Sequence, residues 1–231
     1  SIRPSRLPGA PFRSRAHRNA STTSASPATV GASKRLRRYT TLTSGLARRG
    51  LAFEAPLKFN MGDIEVRDQV DGVRWLVSQG LADPDRIGIF GWSYGGYMAA
   101  YALCRSDKFK LGIAGAGVYD WRLYDTHYTE RYMDLPQNNP DGYAAASVLT
   151  YAGELKRPLL LIHGTADDNF YFMHSLKLSD ALFRAGKPFE FLPLAGFTHM
   201  VPDPLVTKRL YGRVMTFFAT HLAEPRGSAE P

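Results

Sequence analysis

Apolar residues recur at helical spacing early in the chain. Val66, Val70, Val73 and Leu76 fall on one side of a 3.6-residue turn and predict an amphipathic helix over Asp63–Gln79. The pattern then changes. Short apolar runs near 87–90, 111–116, 159–162 and 189–193, bounded by Gly, Pro, Asp or Asn, predict buried strands. Further helical segments separate them: one from Gly96 to Leu103, one over Met173–Ala185 stopped by Gly186, and a carboxyl-terminal one carrying Val206, Leu210, Val214 and Phe217. Asp83-Pro84-Asp85 breaks the chain before the first strand. This alternation predicts an α/β chain with a mostly parallel sheet and helices on both faces.

At 231 residues and 44% hydrophobic, the chain holds apolar material for one sizeable core. The formal net charge of +8 changes meaning once it is divided. Residues 1–53 carry eleven Lys or Arg and no acidic residue; the remainder holds eighteen basic and twenty-one acidic groups, a balance of −3. The basic character therefore belongs to a leader, and does not argue for a nucleic-acid partner. That leader, residues 1–49, has few large apolar residues and no period, so it is expected to be largely disordered. It reads as a targeting peptide, as a basic arm for polyanions, or, the reading favoured here, as a foreign or mistranslated stretch. Residues 50–222 form the expected folded domain, and 223–231 a flexible tail. No apolar run reaches membrane-spanning length. The single cysteine, Cys104, excludes an internal disulfide and reads as a small buried hydrophobe.

Candidate chemistry begins at Gly91-Trp92-Ser93-Tyr94-Gly95. An apolar strand, a glycine-pinched turn with serine at its apex and a helix follow in succession, the form of an α/β-hydrolase nucleophile elbow. Two further loops follow strands. Leu159–His163 runs into Gly164-Thr165-Ala166-Asp167-Asp168-Asn169, and Phe189–Leu194 runs into Ala195-Gly196-Phe197-Thr198-His199. The order Ser93, Asp167, His199 is the order this fold uses, with each residue delivered to the carboxyl end of a strand. A serine hydroxyl needs an imidazole to accept its proton, and a carboxylate to hold that imidazole in the useful tautomer. The backbone N–H of Tyr94, next after the serine, is the expected oxyanion donor. Singly, each residue has a plainer reading as a turn former, cap or packed side chain. Asp168 keeps that reading, and His163 is expected to be packed and hydrogen-bonded. The histidines show no ligand-like spacing, so neither a metal site nor a cofactor is expected.

The segments Gly91–Tyr97, His163–Asn169 and Thr198-His199 together resemble the catalytic domain of the prolyl oligopeptidase family, in its dipeptidyl peptidase IV type, over roughly 50–222. The resemblance implies a serine peptidase with Asp167 as the catalytic acid and Asn169 helping to organise the site. It also implies that Val118, Trp121, Tyr124 and Tyr128 line the pocket for the residue before the scissile bond, usually proline or alanine. Rigid aromatic walls suit such a flat apolar ring, although dense aromatics also serve as plain core filling. Family members often form homodimers, and a peptide substrate is the implied partner.

Two features of the family have no counterpart here. No Tyr-Gly-Gly-Pro-like motif supplies a second oxyanion donor, Tyr39 being the only tyrosine in the leader, and nothing corresponds to the family's amino-terminal β-propeller. The sheet is accordingly expected to lack its amino-terminal strands. Alternative readings are a carboxylesterase or acylaminoacyl peptidase on the same fold, or a catalytically impaired chain acting as a binding module.

Overall fold

The computed structural model describes residues 50–223, together with the backbone of two three-residue strands, β1 (Thr29–Gly31) and β2 (Arg38–Thr40). The other expectations for the leader, and the expectation of a flexible tail, lie outside the described residues. The two strands add short paired segments within the leader. β1 pairs antiparallel with β3 (Gly88–Trp92), and β2 pairs antiparallel with β1. The pairing supplies partners for the backbone groups along one edge of β3, which requires no side-chain pattern of its own. Tyr39 stands on the outermost strand, opposite Val30.

The remaining strands are β4 (Leu111–Gly115), β5 (Leu159–Gly164) and β6 (Glu190–Leu194), giving one six-stranded sheet in the order β2-β1-β3-β4-β5-β6. From β3 to β6 every pairing is parallel. Helices α1 (Leu51–Glu54) and α2 (Asp63–Ser78) precede β3, and α3 (Tyr94–Arg105) follows it. Between β4 and β5 lie α4 (Thr126–Met133) and α5 (Pro140–Ala146); α6 (Met173–Arg184) and α7 (Pro204–Leu222) complete the set.

Strand alternation sorts the core into two layers. Leu111 and Ile113 of β4, with Leu160 and Ile162 of β5, pack against Leu210, Val214, Phe217 and Phe218 of α7. Their neighbours Ala114, Leu159 and Leu161 join a second cluster with Val73 and Leu76 of α2, Tyr97 and Leu103 of α3, and Leu178 and Leu182 of α6. Both sheet faces are covered, which is why β4 and β5 are buried along their whole length, and apolar but for His163, rather than alternating. α7 begins with Asp203, whose carboxylate accepts the Val206 N–H at 2.9 Å, followed by Pro204 at the first helical position. Cys104 is half-buried on α3, and burial pushes its thiol up to about 12, leaving it protonated at neutral pH.

On α2, Glu65 and Gln69 are buried as deeply as the valines. They stand at i and i+4 on the stripe that continues through Val73 and Leu76. Of the two, Glu65 links α2 to the functional site, through the Tyr94 hydroxyl.

Candidate active site

β3 ends in Gly91-Trp92, and Ser93 turns the chain into α3 with φ 62° and ψ −124°. A non-glycine residue in that region carries backbone strain, of order 1–3 kcal/mol, that the surroundings must hold in place. They do so closely. The Ser93 N–H donates to the Gly115 carbonyl at 2.8 Å, and a Cβ on Gly91 would come within 2.1 Å of the Gly95 carbonyl oxygen. Tyr94 is the first residue of α3, so its backbone N–H belongs to the helix-end donors that lack an intrahelical acceptor and favour negative charge.

Asp167 reaches the same rim from the loop after β5, and His199 from the loop after β6. The two loops are joined to each other. Ala166 N–H donates to the Phe197 carbonyl at 3.0 Å, and Gly196 N–H to the Thr165 hydroxyl at 2.9 Å. The chain of β5 also passes so close beneath the His199 loop that a Cβ on Gly164 would lie 2.2 Å from the Phe197 oxygen. Above β3, the Trp92 indole N–H donates to the His199 carbonyl at 2.9 Å.

These supports bring three expected residues into one hydrogen-bonded run. His199 Nε2 stands 2.9 Å from Ser93 Oγ, and His199 Nδ1 stands 2.8 Å from Asp167 Oδ2. The Asp167 side chain is fully buried. Its other oxygen accepts the backbone N–H groups of Asn169 at 3.0 Å and Phe170 at 2.9 Å. Burial alone would raise the Asp167 carboxyl, but hydrogen bonds from His163 and His199 and from the Asn169 backbone hold it well below the usual range. At neutral pH it is a carboxylate.

The aromatic segment after β4 packs beside this run. Val118 and Trp121 are fully buried, whereas Tyr124 and Tyr128 are partly exposed. Tyr128 stacks on the Trp121 indole, and Tyr124 meets both rings edge-on. Tyr94 leans over Trp121 with ring centroids 5.6 Å apart. The Tyr124 hydroxyl donates to Asn169 Oδ1 at 3.0 Å, joining the aromatic wall to the acid's loop. Asp168 is exposed and stands outside the run.

Three contributors, Phe170, Trp92 and Glu65, escaped the sequence reading, and a fourth, His163, was foreseen only in part. Phe170 sets its ring against both Tyr124 (centroids 4.5 Å) and His199 (4.9 Å). Trp92 holds the His199 carbonyl. His163 is packed and hydrogen-bonded as expected, and one of its partners, facing Nε2, is Asp167. Glu65 accepts the Tyr94 hydroxyl on one carboxylate oxygen and the Gly62 N–H on the other at 2.7 Å. Burial drives its carboxyl up from 4.5 to about 7 despite those bonds. Its signal was legible in retrospect: a glutamate on the apolar stripe of an amphipathic helix.

A parallel sheet that carries a strained serine after one strand, with an acid and an imidazole on the loops after two later strands, has the α/β-hydrolase fold. Solved structures agree. Porphyromonas gingivalis dipeptidyl peptidase 4 superposes with a TM-score of 0.75 at 36% identity, over 78% of this chain and 26% of its own. A putative dipeptidyl aminopeptidase IV from Bacteroides ovatus gives 0.76 at 35% identity, again over 78% and 26%. The chain belongs to the prolyl oligopeptidase family, whose profile matches residues 43–225. Mouse dipeptidyl peptidase 8 is 49% identical over 151 residues, 63% of this chain, and pig dipeptidyl peptidase 4 is 41% identical over 161, 68% of it. The chain spans only 17% and 21% of those two relatives' lengths. Among the described residues, no helix is long and apolar enough to cross a membrane.

Proposed function

We propose that this chain carries the catalytic centre of a serine peptidase that acts through an acyl-enzyme, cleaving after proline or alanine. Ser93 Oγ attacks the scissile carbonyl carbon while His199 Nε2 takes its proton. Asp167 steadies the imidazolium, and the Tyr94 N–H donates to the oxygen that becomes negative. As the tetrahedral intermediate collapses, the C–N bond breaks and the imidazolium protonates the departing amine. Water then attacks the acyl-enzyme by the same route in reverse, releasing the acid and the free serine.

The observation that carries this reading is the continuous hydrogen-bonded run from Ser93 through His199 to Asp167, with both contacts below 3 Å. The aromatic wall of Tyr94, Trp121, Tyr124 and Tyr128, backed by Val118, supports a flat apolar side chain at the acyl side. Asn169, tied to Tyr124, keeps that wall in register with the acid. The names of the relatives support dipeptide release as the mode of action. The test is turnover of Ala-Pro and Ala-Ala anilides against an aryl acetate. Anilide cleavage that disappears in Ser93→Ala supports the peptidase. Ester hydrolysis without anilide cleavage would reassign the chain to the carboxylesterases, and no turnover of any of them would favour a binding module.

A further inference from the structure

His163 is the penultimate residue of β5 and has no exposed surface. A histidine in such a place usually satisfies itself and does nothing more. This one faces three specific partners. Its Nε2 lies 2.7 Å from the Phe170 carbonyl and 3.2 Å from Asp167 Oδ2, and its Nδ1 lies 2.7 Å from the Ser175 hydroxyl on α6. Two acceptors facing one ring nitrogen assign the proton to Nε2, which leaves Nδ1 as acceptor for Ser175. A hydrogen-bonded chain thus runs from the buried Ser175 through His163, Asp167 and His199 to Ser93.

The division of donors on Asp167 explains why this matters. Oδ1 is held by two backbone N–H groups, both from the loop that the acid itself belongs to. Those two bonds pin one oxygen but leave the carboxylate free to pivot about it. Oδ2, the oxygen that receives His199, has its own external donor in His163, seated on a strand buried on both faces. The same N–H holds the Phe170 carbonyl, and the Phe170 ring lies against both His199 and Tyr124. One imidazole therefore ties the acid, the base's packing partner and the aromatic wall to the sheet.

We propose that His163 is a positioning residue for the acid: its Nε2–H, braced by Ser175, fixes Asp167 Oδ2 toward His199 and so sets the reactivity of Ser93. The proposal rests on the serine-hydrolase reading above. It predicts more than packing would, because it requires a donor at one particular atom.

The experiment compares the full chain with His163→Leu, His163→Gln and His163→Asn. A glutamine amide nitrogen can occupy the place of Nε2, whereas an asparagine amide reaches only the place of Nδ1. Two quantities are read: the second-order rate of Ser93 modification by a fluorophosphonate, and the nuclear magnetic resonance signal of the His199 Nδ1–H. Loss of one hydrogen bond to a buried charge lowers the rate about 10- to 100-fold in His163→Leu and moves the signal. Gln returns most of the rate and the wild-type signal; Asn does not. An unchanged rate and signal in His163→Leu, or equal losses with Gln and Asn, would overturn the proposal. If His163→Leu does not fold, the Gln and Asn pair decides alone. If the wild type itself is not modified at Ser93, the hydrolase reading has failed. The Nδ1–H signal then still decides whether His163 holds Asp167.

Discussion

Trp92 donates its indole N–H to the carbonyl of His199 across 107 residues of sequence, at 2.9 Å. The residue before Ser93 thereby holds the backbone of His199, so β3 sets both ends of the Ser93–His199 contact. A loop imidazole needs such a tie, because loops lack the regular hydrogen bonding that stiffens strands and helices.

Trp92→Phe removes this donor while keeping an apolar ring over Gly115. One neutral hydrogen bond contributes about 1 kcal/mol, so the fold should survive with only a small fall in its urea midpoint. Labelling of Ser93 should slow by about tenfold, because small displacements of the base are costly. Stopped-flow labelling with a fluorophosphonate checks this.

Gly164→Ala probes the other side of the same loop. The added methyl would lie 2.2 Å from the Phe197 oxygen and 2.6 Å from that of Thr198, both backbone atoms that cannot swing aside. The His199 loop must shift. Overpacking of this kind costs about 1–3 kcal/mol, read as a lowered denaturation midpoint, and labelling should fall about 100-fold.

Asp167→Asn leaves the shape intact but places an amide where the carboxylate stood. The amide can present an N–H to His199 Nδ1, favouring the wrong tautomer. Turnover should drop by about 10⁴-fold with little change in KM, measured on a prolyl anilide.

Glu65 gives a pH signature. Its carboxyl is raised from 4.5 to about 7, so between those values the folded chain keeps a proton that the unfolded chain has released. Stability from this group is therefore full below about 4.5, declines as pH rises to 7, and is flat above. The span is about 3 kcal/mol at most. His174 acts in the opposite direction: burial lowers it from 6.5 to about 4, so its contribution falls as pH drops through that range. The measurement is accordingly a difference. The stability of Glu65→Gln relative to wild type, by urea titration at pH 5 and pH 8, should be more favourable at pH 8. The amide keeps an acceptor for the Gly62 N–H and a donor for the Tyr94 hydroxyl.

How far the chain could be read in advance follows from where each signal resides. β3, β4 and β5 are contiguous apolar runs, and the expected and observed bounds differ by a residue or two. β3 continues through Gly91-Trp92 because the elbow's glycine sits inside the strand. The aromatic residues after β4 could be named, but not the helices α4 and α5 among them, whose short polar sequences have little period. β1 and β2 were not legible either, since three-residue strands are set by the edge they pair with. Ser93, Asp167 and His199 could be picked from local motifs. Trp92 and Phe170 could not, because their roles are contacts with a backbone carbonyl and with rings distant in sequence, which no motif encodes; His163 could be read as packed and hydrogen-bonded, but not which atoms it would face. Glu65 was not read either: a glutamate beside the apolar positions of α2 is visible in the sequence, but nothing local names Tyr94 as its partner.

The most direct measurement is intact mass after exposure of the purified chain to a fluorophosphonate, for the wild type, Ser93→Ala and His199→Ala. The account predicts one adduct on the wild type, mapped to Ser93, none on Ser93→Ala, and a rate for His199→Ala lowered by orders of magnitude. A folded wild-type chain that gains no mass, or an adduct that persists in Ser93→Ala, would contradict it.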